Sequence, residues 1–137
     1  MTRRFLDTNI LLYAISDRPH ETAKRRIADE VLDQDDNALS VQVLQEFYHQ
    51  STRPSRPDAI THAKAVAIVH SLSRFPVQPM TLAVLHEAFA IRQATGYSYW
   101  DSAILAAAAQ FGCTEVLSED MQHDRRIAGL RIVNPFA

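Results

Sequence analysis

The sequence has little of several residues on which particular protein classes depend. Its 137 residues include a single cysteine, Cys113, so neither an internal disulfide framework nor a cysteine-based zinc cage can form within one chain. Three glycines and six prolines exclude a collagen-like or linker-dominated chain. The composition is otherwise ordinary, with 47% hydrophobic and 22% charged residues, which disfavours disorder. We therefore predict one domain spanning residues 1–137.

Long hydrophobic runs are also missing from the sequence. The longest uninterrupted apolar run, residues 103–109, is far shorter than the roughly 20 residues that cross a bilayer. The N-terminal arginines are followed by only Phe5 and Leu6 before Asp7, which is too short for the apolar region of a signal peptide. These features predict a soluble cytoplasmic protein with no membrane segment.

The sequence lacks the excess of basic residues that is usual in nucleic-acid-binding proteins, since its formal net charge is −2. If four of the 16 acids belonged to a metal site, the 14 basic residues and the remaining 12 acids would give a net charge of +2. Arginine, whose planar guanidinium suits phosphate, supplies most of the basic residues, but a general preference for arginine would explain this equally well. Charge alone therefore does not decide whether the chain binds a nucleic acid.

Short β-like runs alternate with longer helical runs along the chain. Strands are predicted at residues 4–6, 38–40, 75–78, 114–117 and 131–133. Helices are predicted at 9–16, from 19 to a break at 35–37, after Ser40, from about 57 to 73, at 81–95, and from the cap at Ser98 to about 111. The last helix is apolar nearly all round, which predicts that it is buried. This alternation predicts a parallel sheet with helices on both faces.

Polar residues follow three of the predicted strands. Asp7 follows the first strand and Ser40 follows the second. Ser118, Glu119 and Asp120 follow the fourth strand. The carboxyl ends of parallel strands lie at one edge of the sheet, where such folds bind ligands. We therefore expect these three groups to lie close together at that edge.

Each acid in or near these segments has an ordinary structural explanation when it is taken alone. Asp7 could cap a helix, and Asp101 could belong to a capping box that begins at Ser98. Glu46 could be a solvated helix residue, and Asp120 could be a turn residue. Several carboxylates at one edge would repel one another, however, and would require a compensating cation. Oxygen donors without clustered cysteine or histidine favour Mg²⁺ or Mn²⁺, which can activate water for phosphodiester hydrolysis.

Four blocks of the sequence resemble the signature blocks of the PIN domain family. They are Asp7-Thr8-Asn9-Ile10-Leu11-Leu12-Tyr13, Gln45-Glu46-Phe47, Tyr99-Trp100-Asp101-Ser102-Ala103 and Leu117-Ser118-Glu119-Asp120-Met121. Residues 132–136 resemble the C-terminus of the bacterial VapC-type toxins of that family. The blocks occur in order and cover essentially the whole chain. The resemblance implies a three-layer α/β/α sandwich with a central, mainly parallel sheet of about five strands.

The resemblance also implies a function and a set of site residues. It implies an endoribonuclease that depends on Mg²⁺ or Mn²⁺, acts as the toxin of a toxin–antitoxin pair, is blocked by a VapB-like antitoxin and forms a homodimer. Carried over block by block, the catalytic acids are Asp7, Glu46, Asp101 and Asp120. Asp7 and Asp101 would bind the metal directly, and Glu46 and Asp120 would bind it through water.

Three further residues of the blocks would support these acids. Asn9 would orient the Asp7 carboxylate, Thr8 lies between them, and Ser118 occupies a position where the family often has a Thr or Ser hydroxyl. Block position favours Asp120 over Glu119 as the acid after the fourth strand. The role of Asp124, a possible fifth acid, is left open by the sequence.

RNA binding would require more than the acids. Candidate phosphate clamps are Arg3, Arg4, Arg25, Arg26, Arg53, Arg56, Arg125 and Arg126, of which only a minority are expected to touch RNA. Tyr97, Tyr99 and Trp100 could stack on unpaired bases, although we expect Trp100 to pack in the core or in a dimer interface.

Two other functions are compatible with parts of this pattern. The chain could be a non-catalytic PIN-like module that binds RNA or protein. It could also be a phosphoacceptor receiver-type signalling domain, which has acids at the edge of a parallel sheet and a lysine near them. The two lysines, Lys24 and Lys64, fall in predicted helices away from the strand ends, which disfavours the receiver interpretation.

Overall fold

The computed structural model describes residues 3–137 and has a six-stranded β-sheet at its centre. The strands are β1 (Arg4–Leu6), β2 (Asn37–Ser40), β3 (Val77–Gln78), β4 (Glu115–Leu117), β5 (Arg126–Ile127) and β6 (Leu130–Val133). Their spatial order is β3-β2-β1-β4-β6-β5, and every neighbouring pair is parallel except the antiparallel pair β5–β6. The prediction of a mainly parallel sheet of about five strands is confirmed, and β5 is the strand that was not predicted.

Between residues 3 and 137 the chain forms six α-helices. They are α1 (Thr8–Ala14), α2 (Thr22–Leu32), α3 (Val41–Thr52), α4 (His62–Leu72), α5 (Leu82–Thr95) and α6 (Tyr99–Gln110), and a 3₁₀ turn at Pro19–Glu21 precedes α2. The predicted caps at Ser40 and Ser98 are confirmed, because each hydroxyl accepts a hydrogen bond from the backbone N–H three residues later. No helix in this part of the chain has both the length and the apolar character needed to cross a membrane.

The start of α4 differs from the prediction. We expected a helix from about Pro57, but the helix begins at His62, after Thr61, whose hydroxyl accepts a hydrogen bond from the Lys64 N–H at 3.2 Å. The preceding segment contains Asp58, whose carboxylate lies 3.3 Å from the Arg18 guanidinium. The side-chain cap and this ion pair together favour a loop where proline alone would have permitted a helix start.

Helices cover both faces of the sheet. Phe5 and Leu6 are neighbours in β1, so their side chains point to opposite faces, and both are fully buried. Helix α6 is buried from Ser102 to Ala108, as its apolar sequence predicted. Cys113 is also buried and belongs to the core, as expected. These observations confirm the three-layer arrangement.

The strand order determines where the functional residues meet. Starting from β1, the chain adds β2 and β3 on one side, and then places β4 on the other side of β1. The point between β1 and β4 is therefore the switch point, where ligands bind in open α/β sheets. Leu6 pairs with Leu117, and the Asp7 N–H donates to the Leu117 carbonyl at 3.0 Å. The residues after β1 and β4 therefore begin side by side.

Candidate metal centre

A cleft of about 280 Å³ lies at the carboxyl end of the sheet. Its lining residues are Asp7, Thr8, Asn9, Leu12, Glu46, Gln50, Asp101, Ile104 and Asp120. All four predicted acids therefore line one cleft. Asp7 comes from the end of β1, Glu46 from α3, Asp101 from the first turn of α6, and Asp120 from the loop after β4.

Asp7 is the most deeply buried of these acids, with 4% of its surface exposed. Its Oδ1 accepts a hydrogen bond from the Thr8 N–H at 2.7 Å, and its Oδ2 accepts one from the Ser118 hydroxyl at 2.6 Å. Burial nevertheless raises the pKa of Asp7 to about 7, because these two hydrogen bonds offset only part of the loss of hydration. The negative charges of Asp120 and Asp101 raise the pKa further. The site therefore holds a carboxyl group that ionises near neutral pH.

Ser118 and Asn9 connect Asp7 to Asp120. The Ser118 hydroxyl, which donates to Asp7, also accepts a hydrogen bond from the Asp120 N–H at 3.2 Å. The Asn9 Nδ2 lies 3.4 Å from the Asp7 Oδ2 and 3.1 Å from the Asp120 Oδ2. Asn9 therefore contacts both carboxylates, whereas the sequence assigned it only to Asp7.

Glu46 is held by two side chains and is only half-buried. The Thr8 hydroxyl donates to its Oε1 at 2.7 Å, and the Gln42 Nε2 donates to its Oε2 at 3.2 Å. The Gln42 Nε2 also donates to the Trp100 carbonyl oxygen at 3.0 Å, which ties α3 to the start of α6. Sequence reasoning missed Gln42. The signal that could have identified it is its position four residues before Glu46, on the same helix face.

Asp101 lies in the first turn of α6, where the Ser98 hydroxyl accepts a hydrogen bond from its backbone N–H at 3.1 Å. Its carboxyl group is half-buried in the cleft. Burial raises the pKa of Asp101, and the negative charges of Asp120 and Glu46 raise it further. This electrostatic coupling shows that the carboxylates are close enough to disfavour joint ionisation.

The two neighbouring acids whose roles were open have partners elsewhere. Glu119 accepts hydrogen bonds from Tyr13 and Lys24, and these bonds lower its pKa although burial alone would raise it. Lys24 therefore lies near the end of β4, and the expectation that it would lie far from the strand ends is wrong, because α2 packs beside α1. Asp124 forms an ion pair with Arg131 at 2.6 Å and does not line the cleft.

The candidate arginine clamps are spread over the molecule. Arg4 lies at the amino end of β1, where it pairs with Asp36 at 3.4 Å, and Arg3 lies over the Phe111 ring. Arg56 lines a groove of about 170 Å³ that shares Asn9, Leu12 and Asp120 with the acidic cleft. Arg18, which the sequence analysis did not single out, lines the same groove.

The donor set fits a hard divalent cation. Among residues 3–137, none of the four acids forms an ion pair with lysine, arginine or histidine. The same residues contain no group of three or more His, Cys, Asp or Glu side chains already arranged to hold a metal ion. Mg²⁺ needs no such group, because it retains several waters and binds through one or two carboxylates. The chemistry of the cleft therefore suits Mg²⁺ better than a metal that requires a complete protein cage.

The fold and the cleft define an α/β protein with a carboxylate-lined cleft at the switch point of a parallel sheet. The family model of the PIN domain matches residues 4–128 of this sequence. The chain belongs to the PIN domain family.

Several solved structures share this fold. A toxin–antitoxin complex from Klebsiella pneumoniae aligns with a TM-score of 0.72 and 22% identity, over 96% of this chain and 97% of that chain. The DNA-bound VapBC of Salmonella typhimurium aligns with a TM-score of 0.64 and 22% identity, over 96% and 97%. VapC20 of Mycobacterium tuberculosis, a toxin that cleaves the sarcin-ricin loop, aligns with a TM-score of 0.64 and 16% identity, over 85% and 91%. No curated protein matches the sequence significantly.

Proposed function

We propose that this chain is a Mg²⁺- or Mn²⁺-dependent endoribonuclease and the toxin of a toxin–antitoxin pair, acting in the cytoplasm. The observation that carries the proposal is the convergence of four acids from distant segments on one cleft, where no basic side chain of the described residues pairs with them. The structural neighbours support the toxin assignment, since they include toxin–antitoxin complexes and a toxin that cleaves RNA. On the same grounds we propose a VapB-like antitoxin as partner, together with a homodimer.

Asp7 and Asp101 would hold the cation directly, and Glu46 and Asp120 would hold it through water. The bound cation would supply an activated water and would stabilise the charge that develops on the scissile phosphate. Asp7 must lose its proton to act as a ligand, and a pKa of about 7 makes this loss incomplete at neutral pH. Cation binding is therefore expected to release protons and to weaken steeply as the pH falls below 7.

The surrounding side chains would fix the carboxylates for this role. Thr8 and Gln42 each donate to one oxygen of Glu46, so its rotation is restricted. Ser118 donates to Asp7, and its oxygen holds the backbone of Asp120. Partners of this kind orient metal ligands, and their removal typically lowers metal affinity or activity by about 10- to 100-fold.

The groove next to Asp120 offers a path for the RNA backbone. Arg18 and Arg56 lie on this groove and are both held by Asp58, at 3.3 Å and 3.0 Å. Guanidinium groups fixed in this way can contact phosphate without losing much additional conformational freedom. We propose that these two arginines hold phosphates of the RNA strand that enters the acidic cleft.

Cleavage of total cellular RNA by the purified, antitoxin-free protein tests the proposal. We expect cleavage with Mg²⁺ or Mn²⁺ and none with a chelator. Asp101→Asn should abolish cleavage while the circular dichroism spectrum is retained. The matched control is Asp124→Asn, which removes an acid outside the cleft and should leave cleavage intact. If no RNA in the pool is cut by the metal-loaded protein, the endoribonuclease proposal is rejected.

The alternative is a non-catalytic PIN-like module that binds RNA or protein. Isothermal titration of Mn²⁺ separates the two functions. The nuclease should bind Mn²⁺, and should do so less tightly after Asp7→Asn, whereas the alternative predicts no binding to either protein.

A further inference from the structure

Trp100 is largely exposed and directly precedes Asp101, which lines the acidic cleft. With 63% of its surface accessible, the single tryptophan of the chain lies outside the core. Of the two expected places for its side chain, the core is therefore wrong, and a dimer interface stays a prediction. An exposed tryptophan offers a large, flat apolar surface that a binding partner can cover.

The backbone of Trp100 is fixed to α3, the helix that carries Glu46. Its carbonyl oxygen accepts the hydrogen bond from the Gln42 amide that also holds Glu46, and the next residue is Asp101. The same amide therefore holds the backbone of Trp100 and the carboxylate of Glu46. The residue is thus anchored next to the candidate metal ligands while its ring remains outside.

The Trp100 ring is supported from one side by aromatic neighbours. It contacts the Tyr99 ring edge-to-face, with centroids 5.0 Å apart and an angle of 79° between the rings. Tyr99 in turn contacts Phe89 at 6.0 Å. A single edge-to-face contact occupies at most one face of the indole, so a flat ring can still stack on the indole. The neighbours also restrict its rotation, which reduces the entropy lost on binding.

We propose that Trp100 stacks on an unpaired base of the RNA strand whose backbone enters the acidic cleft. This inference rests on the proposed function and extends it to single-stranded substrates. Recognition of unpaired RNA commonly uses aromatic side chains as stacking platforms, and such stacking tolerates any base. Arg18 and Arg56 line the groove that shares Asp120 with the cleft, and Trp100 directly precedes Asp101, which lines the cleft. We therefore expect phosphate and base contacts on the same RNA strand.

Fluorescence of the single tryptophan provides a direct test. The Asp7→Asn variant, which should not cleave, is titrated in Mg²⁺ with a single-stranded RNA oligonucleotide and with an abasic oligonucleotide of the same length. We expect quenching of Trp100 fluorescence by the RNA and little change with the abasic chain. Equal responses to both oligonucleotides, or no response to either, would overturn the inference.

Kinetics of the otherwise unmodified protein give a second readout. Trp100→Ala should raise KM for an unstructured RNA by about tenfold and change kcat little, and Trp100→Phe should restore most of the loss. Leu82→Ala is the matched control, because Leu82 is also an exposed apolar residue, 73% accessible, but lies at the start of α5. An unchanged KM for Trp100→Ala would overturn the inference and leave the nuclease proposal standing.

Two further outcomes separate the competing explanations. If Trp100→Ala converts a dimer to a monomer in sedimentation, the ring belongs to a protein interface and the inference is wrong. If the unmodified protein cuts no RNA, the nuclease proposal fails, and the fluorescence titration still decides whether Trp100 contacts a base.

Discussion

Replacing Asp7 by Asn is expected to stabilise the metal-free protein at alkaline pH and to destabilise it slightly in acid. Burial raises the pKa of Asp7 from 3.8 to about 7. One pKa unit corresponds to about 1.36 kcal/mol, so the ionised carboxylate lowers the free energy of unfolding by about 4 kcal/mol well above pH 7. Asn occupies similar space and carries no charge. The Asn side chain can keep the hydrogen bond from Thr8, but its amide nitrogen would face the Ser118 hydroxyl. The loss of that second hydrogen bond should lower the free energy of unfolding by about 1–2 kcal/mol.

The sign of the pH dependence follows from proton binding. A carboxyl group whose pKa is higher in the folded chain binds more protons there than in the unfolded chain, between about pH 4 and 7 in this case. The free energy of unfolding of the unmodified protein therefore falls as the pH increases through that range. Below about pH 4 Asp7 is neutral in both the folded and the unfolded chain, so Asp7→Asn should cost about 1–2 kcal/mol. At pH 5 the unmodified protein must protonate Asp7 on folding, which already costs it about 1.6 kcal/mol, so the substitution should change the free energy of unfolding little. At pH 8 the same change should give a net gain of about 2 kcal/mol.

Urea unfolding in a chelating buffer at about pH 3.5, 5, 7 and 8 measures both effects. Asp124→Asn is the control, because a hydrogen bond from Arg131 lowers the pKa of this exposed acid, and its loss should not increase stability at any of these pH values. Adding Mg²⁺ should stabilise the unmodified protein more than the Asp7→Asn variant, since only the former retains the ligand. The electrostatic reasoning would be refuted if the difference in the free energy of unfolding between Asp7→Asn and the unmodified protein did not vary with pH.

Three more predictions concern the site and its support. Ser118→Ala removes a hydrogen bond that lowers the pKa of Asp7, so the acid limb of the pH–kcat/KM profile should move to higher pH. Asp120→Asn should reduce kcat/KM by about 10- to 100-fold, whereas Glu119→Gln should leave it essentially unchanged; equal losses would contradict the assignment. Gly96→Ala should cost about 1 kcal/mol in urea unfolding without affecting cleavage, because Gly96 ends α5 at φ +77°.

The arrangement of the four acids could be anticipated because it depends on topology. A strand followed directly by an acid, in a chain that alternates strands and helices, brings that acid to the carboxyl edge of the sheet. This reasoning predicted that Asp7 and Asp120 lie at that edge. The resemblance to the PIN domain identified Glu46 and Asp101 as the other two acids of the site. The structure brings all four to one cleft, and their catalytic roles stay a prediction.

The supporting contacts could not be predicted, because they depend on how helices pack. The spacing of Gln42 and Glu46 indicates a shared helix face, but the contact of Gln42 with the Trp100 carbonyl depends on the approach of α6 to α3. The Lys24–Glu119 contact joins residues 95 positions apart and depends on where α2 lies against the loop after β4. The exposure of Trp100 also depends on tertiary packing. Composition alone favours its burial, because it is an aromatic residue at the start of an apolar helix.

The missed strand β5 has a different cause. It contains only two residues, which is too short for any alternation of apolar and polar side chains to be visible. The turn that follows it uses positive φ angles at Ala128 (53°) and Gly129 (80°), and only the glycine is a recognisable turn residue. A hairpin of this size is specified by its hydrogen bonds with β6 rather than by local pattern.

The two outermost strands of the sheet, Val77–Gln78 and Arg126–Ile127, are its shortest. Pro76 and Pro79 flank the first of them and offer no N–H groups, and an arginine begins the second. An incoming chain would find almost no backbone on which to add a new strand, which protects a protein of this kind from runaway edge-to-edge aggregation. We therefore expect any specific assembly of this protein to use its helices and loops and not the addition of strands.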